Sequence, residues 1–204
     1  MPFLKQIVEI VNSDLRERSL KDKRFQSGKY DGIAIDVSRP LEAGGAQTFP
    51  AVLNANYEAQ PVTPDDTYPI TIYHKVISKR AKNPVAASSF GDGNNAKGEV
   101  VDMKMVVFGK YAALKLTAEQ LEALITINFP DVIAKAKISP LKLDSVLIEY
   151  QSTNMNSVAV FQEEYKGFEL FLAPEDIMFS IRYSIESKFR KGCFTICDCE
   201  SSVS

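Results

Sequence analysis

Near the end of the chain, Ile177, Phe179, Ile181, Tyr183 and Ile185 alternate with Met178, Ser180, Arg182, Ser184 and Glu186. A period of two is the mark of a strand with one buried and one wetter face, and this run predicts a central strand. A basic link, Ser187 to Gly192, leads to a second β-prone run, Cys193 to Cys199, which is expected to turn back and complete a hairpin over 177–199. At the other end, Phe3, Leu4, Ile7, Val8, Val11 and Leu15 recur at helical spacing with Lys5, Gln6, Glu9, Asn12 and Arg16 between them, predicting an amphipathic helix packed on the core. Its polar face carries both signs of charge, which argues against a membrane-surface helix.

Between these ends the pattern predicts further strands. Ile33, Ile35 and Val37 alternate, and Phe49 to Tyr57 restarts a strand with Pro50 at its entry. Tyr68 to Ser78 places Ile70, Ile72, His74 and Val76 on one face. Val101, Met103, Met105 and Val107 are expected to pair with it antiparallel. Thr117-Ala-Glu-Gln120 is a capping box opening a helix with Leu121, Leu124, Ile125 and Phe129 inward, and Pro130 kinks or ends that helix. Ser145 to Tyr150, Ser157 to Glu163 and Phe168 to Leu172 read as short strands, and 16–29 as a basic loop or fraying helix end. Lys79 to Gly98 is poor in large apolar residues and is expected to be a long excursion, either a solvated flexible hairpin tip or an arm that orders only against a neighbour. The element order is that of an α+β domain: a mainly antiparallel sheet packed by an N-terminal and a central helix, and one domain over 1–204.

Composition narrows the classes. The chain has 204 residues, 45% hydrophobic and 25% charged, with a formal net charge of −2, so no global basic excess points to nucleic acid. No apolar run is long enough to span a bilayer, and no signal peptide is read at the start. Three cysteines crowded between Cys193 and Cys199 make a poor disulfide framework and suit a reducing compartment.

Candidate chemistry is thin. On a straight strand Cys193 and Cys199 lie about 20 Å apart, too far to share an ion, and their spacing matches no zinc pattern, so burial is the preferred reading. His74 is the only histidine and falls on an apolar face, where a hydrogen-bonded core role is preferred to a Cys-His nucleophile pair. The acidic pairs Asp65-Asp66, Glu163-Glu164 and Glu175-Asp176 read as solvated turn charges. No catalytic, cofactor or metal-ligating residue is assigned, and the protein is not expected to be an enzyme. Charge by segment says more. Residues 1–30 hold seven Lys/Arg against four Asp/Glu and 79–98 hold four against one, while 139–186 hold three against eight. A basic and an acidic surface on one molecule would suit head-to-tail contacts in a ring. The residues singled out for contacts between subunits are Lys79, Arg80, Lys82, Lys97, Lys188, Arg190 and Lys191.

The N-terminal amphipathic helix, the Phe49-Pro50-Ala51-Val52 strand entry, the long excursion, the Thr117 to Phe129 helix and the closing Ile177 to Glu186 strand together resemble the tail-terminator and neck proteins of tailed bacteriophages. The resemblance covers most of the chain as an order of elements. The strands around Ser145 to Leu172 and the cysteine-bearing run lie outside it. It implies a virion structural subunit, assembled in the host cytoplasm, that forms a homo-oligomeric ring, a hexamer or dodecamer, against neighbouring connector or tail proteins. It implies no catalytic residue, no cofactor, no membrane and no sequence-specific nucleic acid. The alternatives are a cytosolic ligand- or partner-binding α+β domain and, more distantly, a thiol-dependent enzyme using a cysteine and His74.

Overall fold

The computed structural model describes residues 2–18, 23–42, 44–64, 67–82, 96–129, 132–133, 143–169 and 172–190. Within them the order is α1 (Pro2–Arg18), α2 (Lys23–Gln26), β1 (Lys29–Pro40), β2 (Ala46–Leu53), β3 (Ala59–Pro61), β4 (Ile70–Lys82), β5 (Ala96–Gly109), α3 (Tyr111–Leu114), α4 (Ala118–Asn128), β6 (Val132–Ile133), β7 (Leu143–Asn154), α5 (Ser157–Glu164) and β8 (Ile177–Arg190). The strands form one sheet in the order β3-β2-β1-β4-β5-β8-β7-β6. Every pairing is antiparallel except β1 with β4. The fold is α+β. No helix among the described residues is long and apolar enough to cross a membrane.

The alternation that marks β8 in the sequence places it where expected, flanked by β5 on one side and β7 on the other. Phe179, Ile181, Tyr183 and Ile185 turn to the face covered by α1 and α4, beside Met103, Met105 and Val107 of β5 and Ile70 and Ile72 of β4. Leu4, Ile7, Val8, Val11 and Leu15 of α1 are all buried there. Their i, i+3, i+4 spacing gives a continuous apolar stripe, so burial rather than intrinsic propensity holds the helix in place. α4 begins at the expected capping box, with the Thr117 hydroxyl accepting from the Gln120 amide and the Gln120 side chain accepting from the Thr117 amide. The helices press close to the sheet at Gly109, where an added Cβ would come within 2.7 Å of Leu121.

The opposite face carries a second apolar cluster: Val160, Phe161 and Tyr165 on Tyr73, Val106, Phe108 and Met178. Three hydrogen bonds hold this corner. The Thr48 amide donates to the Lys166 carbonyl, Tyr165 Oη donates to the Val62 carbonyl, and the Met178 amide donates to Ser157 Oγ.

Several expectations are corrected. Ser157 to Glu163, expected as a strand, is helix α5, because Asn156 caps it by accepting from the Ala159 amide and Val160, Phe161 and Glu164 share its buried side. Phe168 and Glu169, expected in a strand, belong to no element. In the 16–29 region α1 ends at Arg18 and a short helix, α2, stands where a loop or fraying helix end was expected. β2 ends at Leu53, and Tyr57 stands in a turn at φ 63°, a left-handed conformation. The expected link after Glu186 is strand, because β8 keeps pairing with β5 as far as Arg190. Likewise the excursion begins later than Lys79: β4 runs to Lys82 and β5 begins at Ala96. Residues 83–95 and the expected run Cys193 to Cys199 lie outside the described residues.

Candidate functional site

Two concentrations of charge stand on β4 and β5, one at the strands' far end and one beneath α5. The far end gathers basic positions that are distant in sequence. Lys79 pairs with Val101, Arg80 with Val100 and Lys82 with Gly98 across β4 and β5. Gly98 then pairs with Lys188, Lys97 with Phe189 and Ala96 with Arg190 across β5 and β8. Six of the seven proposed contact residues therefore occupy the last rungs of three adjacent strands, a ribbon about 10 Å across at the usual strand spacing. The seventh, Lys191, lies outside the described residues. Lys79 and Arg80 are exposed.

Glu99, Asp102 and Glu186 interleave with these positions, and Asp144 lies at the β7 bulge beside Lys188, leaving six basic residues to four acidic ones. Asp102 Oδ2 accepts from Ser78 Oγ at 2.6 Å, and Arg80 Nη2 stands 3.7 Å from its other oxygen. Arg80 remains 66% exposed, so this is a solvated pair of little energetic weight.

The second concentration is buried. Lys75 of β4 and Lys104 of β5 are direct cross-strand partners, a placement in which like charges repel. Glu164, fully buried at the end of α5, is inserted between them. Its Oε2 takes Lys75 Nζ at 3.1 Å and the Tyr73 hydroxyl at 3.1 Å, and its Oε1 pairs with Lys104 Nζ. Lys104 also donates to Glu163 Oε1 at 2.8 Å, and Lys75 to Asp36 Oδ1 at 2.6 Å.

The titration shifts follow from this packing. Hydrogen bonding from Lys104 depresses the Glu163 pKa, helped by the charges of Lys104, Arg182 and Lys75 against a desolvation cost. Burial works to lower the Lys75 pKa, but hydrogen bonds to Asp36 and Glu164 and their negative charges outweigh it and leave it raised. Burial pushes the Tyr73 hydroxyl well above its ordinary value. Each oxygen of Glu164 lies against a lysine, Oε2 also accepting from Tyr73, so the cluster is built as an anchor for α5. It also places cations where two carboxylates end a helix, a position the helix dipole disfavours for negative charge.

These facts correct the reading of Glu163-Glu164 as solvated turn charges: helical phase turns Glu164 inward with Phe161. Of the other acidic pairs, Glu175 is exposed, Asp176 lies 3.8 Å from Lys110, and Asp65-Asp66 lies outside the described residues. Four acids of the acid-rich segment 139–186 lie beside cations. Glu163 and Glu164 face lysines, Asp176 faces Lys110, and Glu186 sits on the basic ribbon itself.

His74 is fully buried on the α1 face, as its register predicts. Its Nε2 meets Asn12 Oδ1 at 2.8 Å and its Nδ1 meets the Tyr183 hydroxyl at 2.8 Å. Asn12 Nδ2 donates to the Asp31 carbonyl at 2.9 Å, which turns its oxygen to the ring. Nε2 is thus the protonated nitrogen, and Nδ1 accepts from Tyr183. Burial lowers the ring pKa to about 3, so it is neutral near pH 7. Both nitrogens are engaged, Nε2 tying α1 and, through Asn12, β1 to the sheet and Nδ1 linking β4 to β8. Among the described residues, no three His, Cys, Asp or Glu converge to hold a metal.

Sequence reasoning missed the Lys75–Glu164–Lys104 cluster. The available signal was the spacing of Val160, Phe161 and Glu164 after a capping Asn156, which is helical, not strand-like. No protein-family model matches the chain, and no curated protein matches it significantly.

Proposed function

We propose that this chain is a structural assembly subunit, a ring-forming component of the kind found at the head-tail junction or tail end of tailed bacteriophages. The observation that carries the reading is the convergence of Lys79, Arg80, Lys82, Lys97, Lys188 and Arg190 on one end of β4, β5 and β8. The acids on these three strands near them, Glu99, Asp102 and Glu186, with Asp144 on the adjacent β7, are fewer than the cations. A surplus of one sign at the end of a rigid sheet selects acidic neighbours and discourages wrong ones.

The buried group of titratable side chains around Glu164 is engaged in holding α5. This favours a scaffold over a reaction site. The order of elements that resembles tail-terminator and neck proteins supports the more specific reading, in which rings of this subunit stack against connector or tail proteins. Native mass measurement and light scattering of the purified chain test it, alone and with the neighbouring virion proteins. A closed ring of defined number is the expected outcome. A strict monomer under all these conditions would sink the proposal and favour a partner-binding α+β domain.

A further inference from the structure

The turn between β2 and β3 is organised by one side chain. Asn54 Oδ1 accepts from the amides of Asn56 and Glu58, each at 2.9 Å, and its Nδ2 donates to Glu58 Oε2 at 2.8 Å. The Asn54 amide donates to the Glu58 carbonyl at 3.0 Å, and its carbonyl accepts from the Tyr57 amide at 3.1 Å. Together these bonds hold Tyr57 at φ 63°, a left-handed conformation that glycine adopts without steric cost and a bulky side chain does not. Tyr57 is 84% exposed, so burial in its own fold does not offset that strain. A strained residue fixed by its surroundings points to a use outside the fold, and tyrosine is the rigid, amphipathic side chain that contacts between proteins favour.

The charge around this tip has one sign. Between Arg39 and Lys75 the chain holds no Lys or Arg. Glu42 and Glu58 are exposed on the turns at either end of β2. Its complement is the basic ribbon, where Arg80 is 66% exposed and held only by the solvated approach to Asp102 at 3.7 Å.

We infer that Tyr57 is an assembly anchor that seats on Arg80 of a neighbouring copy of this chain, ring over guanidinium, with Glu58 brought to the ribbon's cations. The inference rests on the assembly reading above and names the acidic face that the basic ribbon takes. A planar guanidinium stacks on an aromatic ring through its face and keeps its edge N–H groups for a carboxylate, so Arg80 can hold Asp102 and the neighbour's ring together. Topology makes the contact intermolecular. β2 is antiparallel to β1 and β1 is parallel to β4, with Ala34 opposite Val52 and Ile33 opposite His74. The turn after Leu53 therefore projects toward the start of β4, while Arg80 lies about 20 Å beyond His74 in the other direction, at the usual rise of a strand. Two different surfaces at opposite ends of one sheet make a head-to-tail contact, the kind that closes into a ring.

A double-mutant cycle on the full-length chain tests the contact, read by light scattering as the concentration for half-assembly. Tyr57→Ala and Arg80→Gln should each raise that concentration about tenfold, and Tyr57→Trp should stay within about twofold of the wild type. The double variant should rise no more than about twofold above the stronger single variant, because both substitutions remove one contact. Tyr57→Gly, which takes the same backbone conformation freely, should assemble as poorly as Tyr57→Ala while keeping the wild-type urea midpoint. Three results would overturn the inference and leave the assembly reading standing: wild-type assembly of Tyr57→Ala, a double variant whose rise is the product of the two singles, or a Tyr57→Gly chain that loses stability. A wild-type chain that never assembles would overturn both.

Discussion

Strands β4 and β5 carry their cations in two settings only a few residues apart. Lys75 and Lys104 face each other beneath α5, and their charges are met by Glu164, Glu163 and Asp36 at hydrogen-bonding distance. Arg80, further along β4, is 66% exposed and stands 3.7 Å from Asp102. What differs is the cover. Where α5 excludes water, each charge depends on its partner; where Arg80 stands in solvent, water screens its pairing with Asp102 and leaves that pair weak. The first region is therefore expected to govern stability and the second to govern association.

The sharpest separation comes from Glu164→Ala. It removes the anion between two opposed lysines and leaves Lys104 buried beside a cavity. Breaking a buried pair from one side costs about 3–5 kcal/mol, so the urea midpoint should fall steeply, and amides of α5 should exchange first. A loss below about 1 kcal/mol would show that water reaches the cluster and that the contrast between the two regions is false.

Acid titration probes the interior from the other side of the sheet. Burial holds the His74 pKa at about 3, against 6.5 for an exposed ring. A depressed value means that the neutral ring's contribution is whole above pH 6.5 and is lost as pH falls toward the folded value. The loss should approach roughly 4 kcal/mol by pH 3, from the size of the shift. The depressed pKa of Glu163 adds in the same direction, but in a more acidic window and less strongly, since it is largely solvated. Lys75 acts oppositely: its pKa is raised, so its contribution is present below the unfolded value and declines at alkaline pH as the folded value is passed. Chemical denaturation from pH 7 to pH 3 measures the acid limb. His74→Gln should flatten it, and an equal slope in that variant would assign the acid loss to other groups.

What the chain announces in advance is what depends on neighbours in sequence. The alternation of Ile177 to Ile185, the stripe from Leu4 to Leu15 and the Thr117 capping box each encode their element locally, and each is found where expected. The failures lie where a distant partner decides. Val158, Val160 and Phe161 are β-prone by type, and a run of eight residues is too short for its period to be decisive; the Asn156 cap and burial on β8 make it helix. Lys188 to Arg190 look like a turn until β5 is seen to offer Ala96 to Gly98 as partners. In the same way, nothing near Glu164 in the sequence names Lys75 or Lys104. The basic ribbon was half legible: its residues were identifiable by charge, but their meeting on three strands required the register.

The smallest effect on stability should accompany a large effect on association. Reversing Arg80, Lys82 and Lys97 to Glu changes charges on the ribbon beyond the helix layer, where single substitutions usually move stability by no more than about 0.5 kcal/mol. The urea midpoint of the triple variant should stay close to that of the wild type. Its assembly, measured by light scattering across a dilution series, should weaken markedly, because cations that selected an acidic neighbour now repel it. Salt offers a second handle. Solvated charges are screened within about 8 Å at physiological ionic strength, so adding salt should weaken wild-type assembly while affecting the buried Lys75–Glu164–Lys104 cluster far less. If the triple variant instead unfolds as readily as Glu164→Ala, the ribbon's charges serve the fold, and the division between the two ends of these strands disappears.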